Sequence, residues 1–258
     1  MREKTMKKRN VFYLFTILFA LLMSLNVSAA TTPVAGSNLA NSSPYNLSHY
    51  LQVKLGNGSY KKGSATLIAP NLLLTAAHCI SDGGLPESTV FAQSLWGNGQ
   101  ANYTYMSDIS RTNSMNPFII YKNYGGNWDA PNDIALVRIT DPAQKTSSLD
   151  TSSVKLRVYR NISDLRNKNF TIVSNSFNLD GRWAYENGKI TNVRQDGLLE
   201  TNISGVAGQS GSAIIVDGQI IGIATSADSQ SHIVITPFTE NMKTTLFEAN
   251  GFTNIEMK

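Results

Sequence analysis

Along most of the chain, short β-prone apolar runs alternate with polar turns. Such runs occupy residues 50–55, 64–68, 72–76, 134–139, 170–173, 213–216 and 219–224. Between them stand Asx-Gly pairs at Asn57-Gly58, Asp82-Gly83, Asn98-Gly99, Asp180-Gly181, Asn187-Gly188, Asp196-Gly197 and Asp217-Gly218. These pairs accept the positive φ angles of tight hairpins. The run I-I-V, the turn D-G and the run Q-I-I-G-I make the clearest hairpin. Regular short strands with glycine turns predict an all-β barrel or sandwich. Helical spacing is scarce. Phe238, Met242, Leu246 and Ala249 recur at three and four, with Gly251 as a stop, and predict one C-terminal helix.

The first thirty residues follow another pattern. Residues 1–10 are basic, residues 11–25 are a mostly apolar, uncharged run, and N-V-S-A-A follows at 26–30. The run falls short of the roughly 20 residues that span a bilayer. Small residues for cleavage follow at once: Val27 and Ala29, or Ser28 and Ala30. This is the layout of a secretory signal, so a soluble, exported mature protein is expected. Residues 31–48 are polar and weakly patterned, and read as an N-terminal arm or a short pro-segment. A Ser- and Thr-rich break at 142–151 divides the remaining body into two halves, which suits paired small barrels.

Composition narrows this picture. The chain has 258 residues, 41% hydrophobic and 16% charged, too apolar for disorder and long enough for one large or two small cores. A single cysteine excludes an intramolecular disulfide and a multi-cysteine zinc site. Export with a lone cysteine fits a bacterial source better than an animal one. Of 22 Lys and Arg and 18 Asp and Glu, five and one lie within residues 1–30, which leaves 17 of each beyond. The exported body is thus formally neutral, and neither nucleic acid nor a membrane surface is implied as a partner.

Three short motifs carry candidate chemistry: T-A-A-H-C at 75–79, N-D-I-A-L-V-R at 132–138 and G-Q-S-G-S at 208–212. Singly, each has an ordinary structural explanation: a histidine after an apolar strand, an aspartate capping a strand start, a serine in a glycine turn. Together they describe a reaction. A hydroxyl at Ser210 needs an adjacent base. His78 accepts protons near neutral pH. A buried Asp133 would hold the other ring nitrogen in the right tautomer, with Asp129 as the next candidate. Glycines around Ser210 allow a tight turn whose Gly208 and Ser210 amides face one developing oxyanion.

The order His, Asp, Ser within these motifs resembles the chymotrypsin-fold serine peptidases. Residues 185–212 followed by I-I-G-I resemble, within them, the bacterial glutamyl endopeptidases and exfoliative toxins. The resemblance implies two six-stranded antiparallel β-barrels with a C-terminal helix. The peptidase domain would be 49–258, with one barrel at about 49–141, a second at about 152–237 and the helix at about 238–250. It implies a secreted, monomeric serine endopeptidase acting on protein or peptide through an acyl-enzyme, without metal or cofactor. Animal members pair the cysteine after the histidine with one in the preceding strand. None stands there, so Cys79 is expected to be free and to act in packing.

The resemblance also marks a specificity pocket, and there the chain departs from the glutamyl group. Ala224 stands where a histidine is usual, and Gly205 where a threonine is common. Ser204 occupies the place of the acid in trypsin-like enzymes, so preference for Lys or Arg is not expected. Thr225 offers a neutral hydroxyl, and His232 is the remaining cation for a glutamate side chain. His49 reads as a surface residue. Two other classes remain open at this level: a catalytically inactive, protease-like exported binding protein or adhesin, and an esterase. The latter lacks the G-x-S-x-G elbow and the alternating strand-helix pattern it would need.

Overall fold

The computed structural model describes residues 32–33, 38–81, 86–97, 100–110, 117–126, 129–139, 149–176 and 182–258. The predicted signal segment 1–30 and most of the break at 142–151 lie outside these residues. Strands dominate, in two antiparallel systems.

The first system is a seven-stranded sheet. It is built from β2 (Ser48–Leu55), β3 (Tyr60–Ala69), β4 (Leu72–Thr75), β5 (Pro86–Gly97), β6 (Gln100–Ser110), β7 (Phe118–Ile120) and β8 (Ala135–Arg138). The order across it is β6-β5-β2-β3-β4-β8-β7. Alternation sets its inner face: Leu51, Val53 and Leu55 are buried while Gln52 and Lys54 are partly exposed. His49 shares that parity. Contrary to expectation it is fully buried, and its ring Nδ1 lies 2.8 Å from the Leu47 carbonyl. Burial lowers its pKa to about 4, against the smaller opposing effect of that carbonyl, so the ring is neutral.

The second half comprises β9 (Leu156–Val158), β10 (Asn169–Ser176), β11 (Arg182–Val193), β12 (Leu199–Ser204), β13 (Ala213–Val216), β14 (Gln219–Ala227) and β15 (His232–Pro237). The path β13-β10-β11-β12-β15-β14 closes through a β13–β14 pairing into a six-stranded barrel. The β13–β14 hairpin turns at Asp217 and Gly218 with φ of 50° and 77°, as the D-G pair predicts. Its core is mainly aliphatic, with Ile172, Ile190, Leu199, Ile214, Ile221 and Ile235 all buried alongside Phe170 and Tyr159. A two-residue strand β1 (Thr32–Pro33) pairs with β11 ahead of Glu186.

The C-terminal helical run starts at Glu240, where the Thr239 hydroxyl accepts the Met242 amide. It contains a π turn at Lys243–Phe247 and ends at Gly251 with φ 86°. Phe238, Met242, Leu246 and Phe247 pack into the larger apolar core, which also holds residues of both halves. A last strand, β16 (Ile255–Met257), pairs in parallel with β9, a feature the periodicity did not signal.

Candidate active site

The seam between the two halves gathers the three sequence motifs. Strands β4 and β8 are antiparallel neighbours with Thr75 opposite Ala135. His78 lies three residues past that pair and Asp133 two before it, so the register carries both to one end of the sheet. There the His78 amide donates to Asp133 Oδ1 at 2.8 Å, and His78 Nδ1 lies 2.5 Å from Oδ2. Asp133 is 1% exposed and His78 6%. A carboxylate removed from water needs its lone pairs used, and here the backbone and the ring of one residue use both oxygens. Asp129, the alternative acid, instead accepts the Gly125 amide and the Asn132 side chain within its own loop.

Burial disfavours a charged His78, but Cys79 and Asp133 beside it outweigh burial, and the imidazole pKa is raised above its ordinary 6.5. Cys79 is free and buried, as expected. Its position was not foreseen. Its Sγ lies 3.6 Å from His78 Nε2 and 3.7 Å from the Ser210 carbonyl, filling the space that a side chain at Gly63 would need.

Ser210 sits, half-buried, in the turn that leads into β13. Gly211 has φ 85°, and a Cβ there would strike the Ser64 carbonyl and the Thr75 hydroxyl, so the second glycine is sterically required. Gly208 has φ 95°. Most polar backbone groups of the turn are occupied. The Val206 amide donates to Gln209 Oε1, the Gln209 amide to the Val206 carbonyl, the Gly211 amide to Ala224 and the Ser212 amide to Gln209. Among the described residues, the amides of Gly208 and Ser210 donate to nothing. The Ala207 amide likewise has no partner among the described residues, so the turn keeps idle donors of the kind an incoming oxyanion requires.

Beside Ser210 is a cavity of about 220 Å³ whose walls include Gly205, Ala224, Thr225, Ala227 and Ile233. Of the five residues assigned to the specificity pocket from sequence, Gly205, Ala224 and Thr225 line it, and Ser204 and His232 do not. Those two face each other across the β12–β15 pairing, and His232 Nδ1 lies 3.4 Å from Asp228 Oδ2. Ile233, the next residue on β15, was missed from sequence. Its place beside Ser210 depends on strand pairing rather than on local pattern. A larger hollow of about 620 Å³ lies at Pro70, Leu149 and Phe252, away from the motifs.

Known proteins agree with this geometry. The trypsin family pattern matches residues 39–244. A chymotrypsin-like serine proteinase of Haliotis rufescens is 26% identical over 232 residues, covering 82% of this chain and 88% of that protein. Among solved structures, a Glu endopeptidase superposes with TM-score 0.61 at 19% identity, covering 86% of this chain and 97% of the other. A collagenase superposes with TM-score 0.64 at 16% identity, covering 86% and 99%. The protease Anisep of Arthrobacter nicotinovorans gives 0.60 at 17%, covering 80% and 95%. With a family match across four fifths of its length and a double β system joined at a His–Asp pair and a Gly-x-Ser-Gly turn, the chain belongs to the trypsin family and is a serine endopeptidase.

Proposed function

We propose that the chain is an exported bacterial endopeptidase in which Ser210 attacks the substrate carbonyl. His78 takes the serine proton and returns it to the leaving amine. Asp133 fixes the ring tautomer, and the Gly208 and Ser210 amides hold the oxyanion of the tetrahedral intermediate. The observation that carries this reading is the buried Asp133–His78 pair, with both carboxylate oxygens spent on one histidine. The idle Gly208 and Ser210 amides support the second half of the machinery. The mature protein begins at Ala30 or Thr31 after signal removal, and acts as a secreted monomer.

The preferred side chain before the scissile bond is neutral. The cavity wall offers Ala224, Ala227 and Ile233 but no basic side chain, and the ring of His232 is engaged with Asp228. A glutamate carboxylate placed there would lose water without gaining a charged partner. Ser210→Ala tests the catalytic assignment. Losing the nucleophile is expected to lower turnover on a peptide substrate by about 10⁴–10⁶ while the unfolding transition stays intact. Turnover within tenfold of wild type in the purified variant contradicts the assignment.

A further inference from the structure

Ser64, on β3 of the first sheet, is fully buried, and each of its polar groups reaches the catalytic seam. Its carbonyl accepts the Thr75 hydroxyl at 2.8 Å, from the strand that ends just before His78. Its amide donates to the Ser210 carbonyl at 2.8 Å. Its hydroxyl donates to the Gly208 carbonyl at 2.9 Å, across 144 residues of chain. One residue of the first half therefore grips the second half's nucleophile turn at two carbonyls and the strand that leads to His78 at a third point.

The two gripped carbonyls are not arbitrary. The Gly208 carbonyl belongs to the peptide that follows the Gly208 amide, and the Ser210 carbonyl to the peptide that follows the Ser210 amide. Holding both fixes the torsions on either side of the Gln209–Ser210 peptide and on the C-terminal side of Gly208. Gly208 has no side chain and a φ of 95°, so without an external partner its neighbouring peptides rotate at low cost. The internal bonds of the turn involve Val206, Gln209, Gly211 and Ser212, and none of them holds the Gly208 carbonyl.

We propose that Ser64 is a positioning residue for the peptidase reaction. Its hydroxyl, by holding the Gly208 carbonyl, keeps the Gly208 and Ser210 amides aimed at one point before substrate arrives. This rests on the assignment of those amides to the oxyanion. The effect is preorganisation: donors already aimed need no rearrangement when charge develops. Ser64 touches no reacting atom, so its contribution belongs to kcat rather than to ground-state binding.

The test is Ser64→Ala, which keeps the amide and carbonyl and removes the hydroxyl alone. Losing an oxyanion donor outright costs about 10²–10³ in kcat, and loosening one should cost about 10- to 100-fold. With rates normalised to titrated active sites, kcat is expected to fall by that factor while KM stays within about threefold. Affinity for a peptide aldehyde, which forms a tetrahedral adduct, should fall in step with kcat/KM. Affinity for the cleaved product peptide should not change. Ser64→Thr, which restores a hydroxyl, should recover most of the loss. Should Ser64→Ala fail to fold, Ser64→Cys, with a similar volume and a weaker donor, carries the same comparison.

A kcat within twofold of wild type overturns the proposal. So does a loss shared equally by aldehyde and product peptide, since that is general disorder of the site. A wild-type protein that cleaves no peptide fails differently: it removes the catalytic assignment itself, and the proposal with it.

Discussion

Asp133 and Glu186 are both carboxylates withdrawn from water, at 1% and 7% exposure, and the fold treats them in opposite ways. Asp133 lies at the seam with both oxygens bonded to His78. Glu186 lies on β11 of the second barrel, opposite Ile172, and its buried Oε2 has no hydrogen-bond partner. Burial raises the Glu186 pKa from 4.5 to about 7. At the seam a histidine is held against the buried carboxyl and takes up both of its oxygens. The lone carboxyl in the barrel has to keep its proton or destabilise the sheet around it. Burial is common to both acids, and what separates them is the partner that Asp133 has.

Exchanging each acid for its amide is the strongest way to break this contrast. Asp133→Asn keeps the shape but favours the wrong His78 tautomer, and turnover should fall by roughly 10⁴. Glu186→Gln should leave turnover within about twofold. Steady-state kinetics on both variants decide it, and an active Asp133→Asn enzyme would place the orienting acid elsewhere.

The specificity cavity gives the next largest effect. Cleavage after leucine should exceed cleavage after glutamate by about 100-fold in kcat/KM, because the walls offer no charge to a buried carboxylate. His232→Ala should move that ratio by less than about threefold. A glutamate preference that disappears in this variant would show His232 reaching the substrate after all.

Stability tests the Glu186 side of the contrast. Unfolded, Glu186 loses its proton near pH 4.5; folded, it keeps the proton until about pH 7. Its contribution is therefore most favourable below pH 4.5, declines as the pH rises to 7, and is flat beyond. Glu186→Gln removes that decline and should be the more stable protein at pH 8, by on the order of 2 kcal/mol. Thermal unfolding at pH 4 and pH 8 measures it, and an equal offset at both would refute the burial argument.

The smallest effect concerns the base. His78 must be neutral to accept the serine proton, so kcat/KM should rise with pH through a limb above the ordinary 6.5. Cys79 lies against Nε2 and favours the protonated ring. Cys79→Ala should therefore shift that limb to lower pH. A limb that stays put or moves up would mean that Asp133 alone sets it.

Much of this was legible in the chain. The alternation of Leu51, Val53 and Leu55, the Asp217-Gly218 hairpin and the C-terminal spacing of Phe238, Met242 and Leu246 are local, and local sterics decide them. The three motifs pointed to His78, Asp133 and Ser210 together because one chemistry needs all three residue types, and the first two are in contact. What stayed hidden depends on pairing between distant strands. The grip of Ser64, the thiol of Cys79 against His78 and the place of Ile233 in the cavity wall all lack a sequence period. His49 is a different case. It shares the parity of Leu51, Val53 and Leu55, and its polarity concealed an inward position that the alternation already implied.

The central claim is that Ser210 is a nucleophile activated by a buried histidine–aspartate pair. Labelling the mature protein with a fluorophosphonate and mapping the adduct by mass spectrometry tests it most directly. The account predicts one adduct, on Ser210, absent in Ser210→Ala and formed far more slowly in Asp133→Asn. An unlabelled wild-type protein, or an adduct on another residue, would contradict it.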